Sequence, residues 1–305
     1  MQRWCVHEGQ LLKFTFLFSI MASSTQNTSI VVDGNGSIFA GAVSEKIRDY
    51  SNVDDTVDFS NNSPTNYHTR MMGGNDVVTL SDINVGGFSN KVNGNLGDDK
   101  FESKAGSTTR DFILGGSEND TIDLSNSAKG GDWQNGNFGK DTLTGAQGND
   151  RMSILRGGAD DDFITVMANS KHIVVGDLGQ DNILMVGTGR IVCRTDNGAA
   201  AQNRDEADAI LGFDGDDKLF IPGINSINDL TVEQDGLSTY IKADSFTNGT
   251  TGMRYIAKFA LRDEADVTGY LNGGQVIIGD TADNAYAALN PENFLNSPDL
   301  GGMFA

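Results

Sequence analysis

The sequence predicts an all-β chain: a parallel β-helix or β-roll solenoid of about eight 21-residue coils, followed by a small C-terminal β cap domain. The first observation is that eight aspartates open the same short phrase, with an apolar residue two positions later. The second is that the glycines just upstream recur at an unbroken spacing of 21, and such a period marks a repeat architecture. The aspartates are Asp55, Asp76, Asp99, Asp120, Asp141, Asp162, Asp181 and Asp217, and the glycines are Gly73, Gly94, Gly115, Gly136 and Gly157.

Each phrase predicts a short strand with one buried face. Residues 120–124, Asp-Thr-Ile-Asp-Leu, show the pattern: apolar side chains alternate with polar ones, which is the two-residue period of a strand. Twenty-one residues also make three heptads, but a glycine in every repeat and strict alternation exclude a coiled coil. The Leu-x-x-Leu-x-Leu phrase of leucine-rich repeats does not occur in these segments.

A second short strand precedes each glycine turn, most clearly at 111–114, 153–156 and 172–175. One coil is therefore a strand, a glycine–aspartate turn, another strand and a looser polar connection. A single coil of this kind cannot bury its apolar residues, whereas stacked coils pair their strands in parallel and enclose a narrow continuous core.

The composition of the chain argues against several classes of protein and of partner. The 305 residues contain 42 acidic and 22 basic side chains, a formal net charge of −20, which disfavours nucleic acid and anionic membranes as partners. The 38 glycines lack the three-residue period of collagen, and apolar residues recur in register, which disfavours disorder. Cys5 and Cys193 cannot form a disulfide framework, and no run of 18 apolar residues predicts a membrane span.

The glycine–aspartate turns contain the candidate functional residues. Residues 94–101, 136–143, 176–183 and 212–219 share one pattern, Gly-x-x-Gly-x-Asp-x-apolar in its commonest form, and 115–122 is a variant with Glu118. These segments resemble the nonapeptide Gly-Gly-x-Gly-x-Asp-x-U-x of RTX (hemolysin-type) calcium-binding repeats. The resemblance covers about residues 51–220. Its nine-residue spacing occurs once, from Gly136 to Gly145 and from Asp141 to Asp150.

The resemblance implies calcium ions between the turns of successive coils, in a column along one edge of the rod. Calcium takes six to eight oxygen ligands, and glycine allows the backbone conformations that turn carbonyls inward. Asp98, Asp160, Asp161, Asp177 and Asp216 are candidate outer acids. The candidate metal residues are Asp76, Gly94, Gly97, Asp99, Gly115, Asp120, Gly136, Gly139, Asp141, Gly145, Asp150, Gly157, Asp162, Gly176, Gly179, Asp181, Gly212, Gly215 and Asp217.

The chain departs from the RTX pattern in its coil. A 21-residue coil holds one good turn, so the second edge is expected to bind nothing, and Glu118 and Asp160 stand where the motif has glycine. The turns of Asp55, Asp76 and Asp162 match least well. The alternative is a metal-free solenoid whose Asn, Asp and Gly turns hydrogen-bond their own backbone.

The predicted organisation has six parts. They are a leader or disordered N-terminus (1–25), an N-terminal cap (26–50), the calcium-binding solenoid (51–190), a loop (191–206), the last repeat with a C-terminal β domain (207–280) and a tail (281–305). The segment from Ala207 to Ile278 resembles the C-terminal module that follows RTX arrays in proteins exported by type I secretion. A solenoid also needs a cap at its open end, and both descriptions can hold together.

The predicted function is that of a secreted calcium-binding solenoid that folds on calcium outside the cell. It would be a surface, matrix or adhesion protein, with calcium, a cell surface, a polysaccharide or its own copies as partners, and the type I apparatus during export. His7, His68 and His172 are scattered and no catalytic motif occurs, so no enzyme is expected. The alternatives are an extracellular polysaccharide lyase or epimerase on a β-helix and a toxin- or bacteriocin-like effector.

Overall fold

The computed structural model describes residues 30–32, 46–60, 67–148, 150–196 and 199–289. Almost all regular structure in these residues is β, with two α-helices, α1 (Glu264–Gly273) and α2 (Asp280–Ala288), near the C-terminal end. The strands are β1 (Ile30–Val32), β2 (Lys46–Asp49), β3 (Thr56–Asp58), β4 (Tyr67–Arg70), β5 (Val77–Thr79), β6 (Phe88–Leu96), β7 (Lys100–Glu102), β8 (Arg110–Ser117), β9 (Thr121–Asp123), β10 (Trp133–Phe138), β11 (Thr142–Thr144), β12 (Ser153–Ala159), β13 (Phe163–Val166), β14 (Lys171–Leu178), β15 (Asn182–Met185), β16 (Thr188–Val192), β17 (Ala209–Leu211), β18 (Lys218–Phe220), β19 (Thr231–Asp235), β20 (Ser238–Ser245), β21 (Thr251–Ala260) and β22 (Val276–Ile277).

The strands form two long sheets, and the chain alternates between them. The first sheet has the order β1-β2-β4-β6-β8-β10-β12-β14-β16-β18-β22, and the second has the order β19-β20-β21-β17-β15-β13-β11-β9-β7-β5-β3. Pairing is parallel except for β1 with β2 and the β19–β20–β21 meander. The predicted parallel β-solenoid is therefore confirmed, with about 7 turns at a spacing of about 21 residues.

The register of the strands explains how the 21-residue period of the sequence produces a hydrophobic core. Phe101 pairs with Ile122, and Leu143 pairs with both Ile122 and Ile164, so equivalent apolar residues stack directly above one another. These side chains are fully buried between the two sheets. Each contributes about 1.5–3 kcal/mol by leaving water. Polar residues between them face outward, which keeps the period-two alternation.

The C-terminal strands continue the two solenoid sheets. β21 pairs in parallel with β17, and β22 pairs in parallel with β18. The separate C-terminal β cap domain thus stays a prediction. An acidic segment begins α1, where the Oδ1 of Asp263 accepts a hydrogen bond from the amide N of Asp266 at 2.8 Å. That contact caps the helix N-terminus, and Gly274 ends the helix in a left-handed conformation.

Several predicted segments fall outside the described residues. These are the leader (1–25), most of the N-terminal cap (26–50) and residues 290–305 of the tail. Residues 281–288 of that tail belong to α2, and Leu289 follows as its C-cap. No helix in the part of the chain that the structure describes is long and apolar enough to cross a membrane.

Candidate metal centre

The repeated phrase of the sequence forms one continuous ladder of aspartates along an edge of the solenoid. The amide N of Asp120 donates to Oδ1 of Asp141 at 2.7 Å, and the amide N of Asp141 donates to Oδ1 of Asp162 at 2.8 Å. Every step is built this way, so each carboxylate fixes the turn of the preceding coil. We call this ladder the aspartate column; its members are Asp55, Asp76, Asp99, Asp120, Asp141, Asp162, Asp181 and Asp208.

The second carboxylate oxygen is the unusual feature of the column. Six members are at most 2 % exposed, and among the described residues their Oδ2 atoms have no hydrogen-bond partner. These six are Asp76, Asp99, Asp120, Asp141, Asp162 and Asp181. A buried carboxylate oxygen without a partner is costly, so such an atom requires a proton or a cation. Asp55 differs, because its Oδ2 accepts from the hydroxyl of Ser51 at 2.7 Å.

The first glycine of each turn faces that oxygen. A Cβ placed on Gly115 would lie 2.3 Å from the Oδ2 of Asp120 and 2.6 Å from the carbonyl oxygen of Gly136. Because any side chain there would collide with both atoms, the position requires glycine. The same relation joins Gly94 to Asp99, Gly136 to Asp141, Gly157 to Asp162 and Gly176 to Asp181. Five predicted glycines and five predicted aspartates are therefore brought together in pairs.

Burial perturbs the carboxyl groups strongly. Loss of hydration raises the pKa of Asp99 and Asp141 to about 7 and the pKa of Asp120 to about 8. The same cause raises the pKa of Asp162 to about 9, and the neighbouring carboxylates Asp181 and Asp141 raise it further. The backbone hydrogen bonds to Oδ1 act in the opposite direction. The column thus holds its negative charge poorly unless a cation compensates it.

Two left-handed residues shape each turn, and this explains the unmatched copies of the motif. Asn137 and Gly139 have φ of 80° and 116°, while Gly116 and Glu118 in the preceding coil have φ of 136° and 77°. Each turn therefore has one glycine, at either the first or the second left-handed position. Glu118 and Asp160 keep the turn because the glycine has moved two residues upstream. The pairs of left-handed residues are 72/74, 95/97, 116/118, 137/139, 158/160 and 177/179.

The second glycines, Gly97, Gly139 and Gly179, allow close stacking of coils. A Cβ on Gly97 would lie 1.9 Å from the carbonyl oxygen of Gly74, and one on Gly179 would lie 2.1 Å from that of Asp160. Their positive φ values and these contacts both exclude a side chain. They shape the turn, whereas the first glycines face the carboxylates.

Asp217 lies away from the aspartate column. It directly precedes β18 in the first sheet, where its Oδ1 accepts from the amide N of Gly189 and its Oδ2 from the amide N of Asp214. Of the glycines predicted with it, Gly212 approaches the carbonyl oxygen of Met185, and a Cβ on Gly215 would meet no atom within 4 Å. The turn at 212–219 matches the motif but does not stack on the others.

The copy of the motif at nine-residue spacing, Gly145 with Asp150, also lies outside the aspartate column. Gly145 faces the ring of His172, since a Cβ there would lie 2.3 Å from Nε2. Asp150 is exposed, with a carboxylate oxygen 3.8 Å from the Nζ of Lys129. Asp177, a predicted outer acid, accepts two hydrogen bonds from the guanidinium of Arg156 at 2.8 and 2.6 Å.

Asp208 is the column member that sequence reasoning missed. Its Oδ1 accepts from the amide N of Asp181 at 3.1 Å, and β17, which follows it, pairs with β15. The signal was present, because Ile210 stands two residues after Asp208 as the phrase requires. The loop at 191–206 lengthens the interval from Asp181, which hides the match.

A second buried polar ladder lies at the start of the first-sheet strands, where nothing was expected. The Asn90 side chain donates to Oδ1 of Asp111 at 2.6 Å, and the Oδ1 of Asp132 accepts from the amide N of Asp111 at 2.9 Å. The Ser153 hydroxyl and the His172 ring continue the same register. Burial raises the pKa of both carboxyls and lowers that of His172 to about 4.

The types of oxygen atom in the column, carboxylate and carbonyl, are the ligands that a hard cation prefers. An unpartnered carboxylate oxygen and a carbonyl of the next coil converge on the same glycine, and calcium prefers both donor types. Within the described ranges no three His, Cys, Asp or Glu side chains are grouped to hold a metal. Backbone carbonyls would therefore have to supply most ligands, as a glycine-rich turn allows.

A scan against protein-family models gives no match to this chain, and a search of curated proteins gives none either. The class that fold and site define is a parallel β-solenoid with a buried aspartate column. The likeness to RTX repeats therefore depends on the turn residues themselves.

Proposed function

We propose that the chain is a calcium-stabilised β-solenoid that acts outside the cell as a structural protein of a surface, matrix or adhesion layer. The observation that carries the proposal is the row of six buried Oδ2 atoms without a hydrogen-bond partner among the described residues. Each must be neutralised for the coils to stack, and a divalent cation neutralises two charges without depending on pH near neutrality.

Each residue type has a distinct task in this proposal. The Oδ1 of each aspartate receives the amide of the preceding coil and so fixes the coil spacing. The Oδ2 and the carbonyls of Gly115, Gly136 and Gly176 would hold the ion, and the lack of a side chain at the facing glycines lets these oxygens approach one another. Calcium, when bound, supplies positive charge and six to eight positions for oxygen ligands.

Charge links this site to export and to folding. Without a cation the carboxylates of neighbouring coils repel one another, which disfavours the stacked state of a chain with net charge −20. Where calcium is scarce the chain would stay loosely folded, and where calcium is millimolar the coils would stack. This supports a secreted location and passage through a type I apparatus.

An exposed groove supports a polymeric partner in this proposal. An open groove of about 460 Å³ on the outer face of the first sheet is lined by Asn93, Asn95 and Asn137 beside the exposed Leu96 and Phe138. Its one charged lining residue, Arg70, is paired with Asp49. Amide groups next to an exposed aromatic ring suit a polysaccharide with few charges. The groove therefore supports adhesion or matrix binding as the role of the stacked rod.

The test is thermal and urea unfolding of the full chain with calcium and with chelator. A site at 100 times its Kd contributes about 2.7 kcal/mol, so several sites raise the midpoint strongly. Asp141→Asn keeps Oδ1 as an acceptor but removes the charge; we expect it to stabilise the calcium-free protein and reduce the gain from calcium. Asp244→Asn, at an exposed position on β20, is the matched control. Identical midpoints with calcium and chelator would leave a metal-free scaffold.

A further inference from the structure

Two rows of residues at the turn end of the first sheet alternate in size from coil to coil. The first left-handed position of the turn holds, in successive coils, Asn95, Gly116, Asn137 and Gly158. The residues that follow them are Leu96, Ser117, Phe138 and Ala159. Strand pairing sets the members of each row side by side. Large and small residues therefore alternate along the rod, and the large ones form ridges two coils, about 9.6 Å, apart.

The open groove of about 460 Å³ is a trough between two of these ridges. Gly116 and Ser117 lie between Leu96 and Phe138, whose side chains are 57 % and 65 % exposed. A Cβ on Gly116 would lie 2.4 Å from the carbonyl oxygen of Asn95, so the floor of the trough stays without a side chain there. The volume is within the range of sites that bind small molecules and short segments of polymers.

The polar groups of the groove are uncharged and open to a ligand. Within the part of the chain that the structure describes, the side-chain amide of Asn137 makes no hydrogen bond, while its backbone N donates to Oδ1 of Asn135. The Asn95 side chain donates to the carbonyl of Asn93 at 3.2 Å, which leaves its oxygen as an acceptor. Amides both donate and accept, as hydroxyl groups do. Because Arg70 is occupied by Asp49, an anionic ligand finds no unpaired cation among the lining residues.

The apolar surface of the groove is small and divided. Phe138 presents an exposed ring on one side of the trough, and Leu96 lies on the other side. A helix that docks by its apolar face needs a continuous stripe, which the trough interrupts, and an extended peptide needs an unpaired strand edge. The strands β6, β8 and β10 are paired on both sides. A sugar ring, with apolar C–H groups on its faces and hydroxyl groups on its rim, fits both kinds of surface.

We propose that this groove binds a linear, uncharged glycan, with one sugar ring in the trough between Leu96 and Phe138 and its hydroxyl groups bonded to the amides of Asn95 and Asn137. A β-1,4-linked hexose chain suits ridges that recur every second coil, because it presents the same face at every second sugar. The inference rests on the proposed function in adhesion or matrix binding and names the chemical class of the polymer. Only stacked coils form the site, since its residues come from successive coils.

Isothermal titration calorimetry of the full chain in calcium tests the site, with hexasaccharides of β-1,4-linked glucose and of β-1,4-linked mannose as probes. We expect Phe138→Ala to raise the Kd about tenfold. Asn137→Gly, which keeps the left-handed turn, should raise it several-fold, and Ser117→Phe, which fills the trough, should abolish binding. Phe163→Ala removes another exposed ring, on the second sheet, and is the matched control that should leave the Kd unchanged.

The thermal midpoint of each variant, with calcium and with chelator, separates this proposal from the proposed function. Phe138→Ala and Ser117→Phe should keep the calcium response of the unaltered chain. A chain that calcium stabilises but that binds neither hexasaccharide would overturn the glycan site alone. Equal losses in Phe138→Ala and Phe163→Ala, or tighter binding of a galacturonic acid hexamer, would also overturn it. Binding that Phe138→Ala weakens, in a chain that calcium does not stabilise, would support the site and contradict the calcium proposal.

Discussion

The amide N of Asp181 donates to Oδ1 of Asp208 at 3.1 Å, although 27 residues separate them. Every other step of the column spans 19 to 23 residues, so the inserted loop is excluded from the ladder without interrupting it. Asp208 is therefore the C-terminal end of the column. Burial raises its pKa well above the ordinary value, and the neighbouring carboxylate of Asp181 raises it further.

Asp208→Ala should destabilise the solenoid although no repeat motif marks the residue. The change leaves the amide of Asp181 without its acceptor, which costs about 1–3 kcal/mol. Urea unfolding followed by circular dichroism measures the loss, with the exposed Asp244→Ala as control. Equal midpoints for the two variants would show that the ladder ends at Asp181.

Gly136→Ala should be among the most harmful single-methyl changes in the chain. The new Cβ would lie 1.9 Å from the Oδ2 of Asp141, so the carboxylate must move and its bond to the amide of Asp120 weakens. Overpacking of this kind costs about 1–3 kcal/mol. Gly215→Ala, which meets no atom within 4 Å, should change the unfolding free energy by less than about 0.5 kcal/mol. Similar losses at both sites would refute the steric role of the first glycine.

In chelator, stability should fall as pH rises from 6.5 to 9. The folded-state pKa values of Asp99, Asp120 and Asp162, about 7, 8 and 9, exceed the ordinary 3.8, so the folded chain binds more protons than the unfolded chain in this range. Stability is then fully present below the unfolded value and is lost as pH passes through the folded values, by at most about 1.4 kcal/mol per group and pH unit. His172 already is neutral there.

Unfolding free energies at pH 6.5, 7.5 and 9 with chelator, and again with calcium, test this dependence. Calcium should flatten it, because the cation replaces the protons. The triple variant of Asp99, Asp120 and Asp162 to Asn should reduce the pH dependence without calcium but not abolish it, because burial also raises the pKa of Asp76 to about 8 and that of Asp141 and Asp181 to about 7. A stability that rises with pH in chelator would mean that the column is ionised and compensated in some other way.

Arg156→Ala should destabilise the chain and loosen α2. The guanidinium makes two hydrogen bonds to the nearly buried carboxylate of Asp177 and one to the Leu289 carbonyl. Loss of one partner of a buried ion pair costs about 3–5 kcal/mol, and Arg194, 3.6 Å from Asp177, should keep the loss at the lower end. A double-mutant cycle with Asp177→Ala measures the coupling; strict additivity would show that the pair contributes nothing.

Local pattern was enough to predict the strands and the stacking. Alternation at Thr121, Ile122 and Asp123 predicts which side chain enters the core, and a constant period predicts that equivalent residues stack. The same regular spacing marks the glycines that lie upstream of Asp99, Asp120, Asp141, Asp162 and Asp181 and face their carboxylates in the structure. Wherever the 21-residue period holds, the structure of one coil predicts the structure of the others.

The features of the site that the sequence did not predict depend on which strands pair with one another. Asp208 and Asp217 both precede an apolar residue by two positions, and only the pairing of β17 with β15 places the former in the column. The glycine moves between two left-handed positions in successive turns, so Glu118 and Asp160 resemble defects when each turn is read alone. The second ladder of Asp111 and Asp132 has no motif, because its members share only their register.

The spacing of the aspartate column has a consequence for how it attracts ions. Parallel strands set its members about 4.8 Å apart, whereas two unit charges in water interact with about the thermal energy at roughly 7 Å. A fully ionised column is thus a line charge dense enough to condense counterions, as the DNA backbone does. Under the proposed function, ion uptake would be a property of the whole edge. Monovalent ions would leave as divalent ones arrive, and the apparent affinity would fall as sodium chloride rises and would grow with the number of coils.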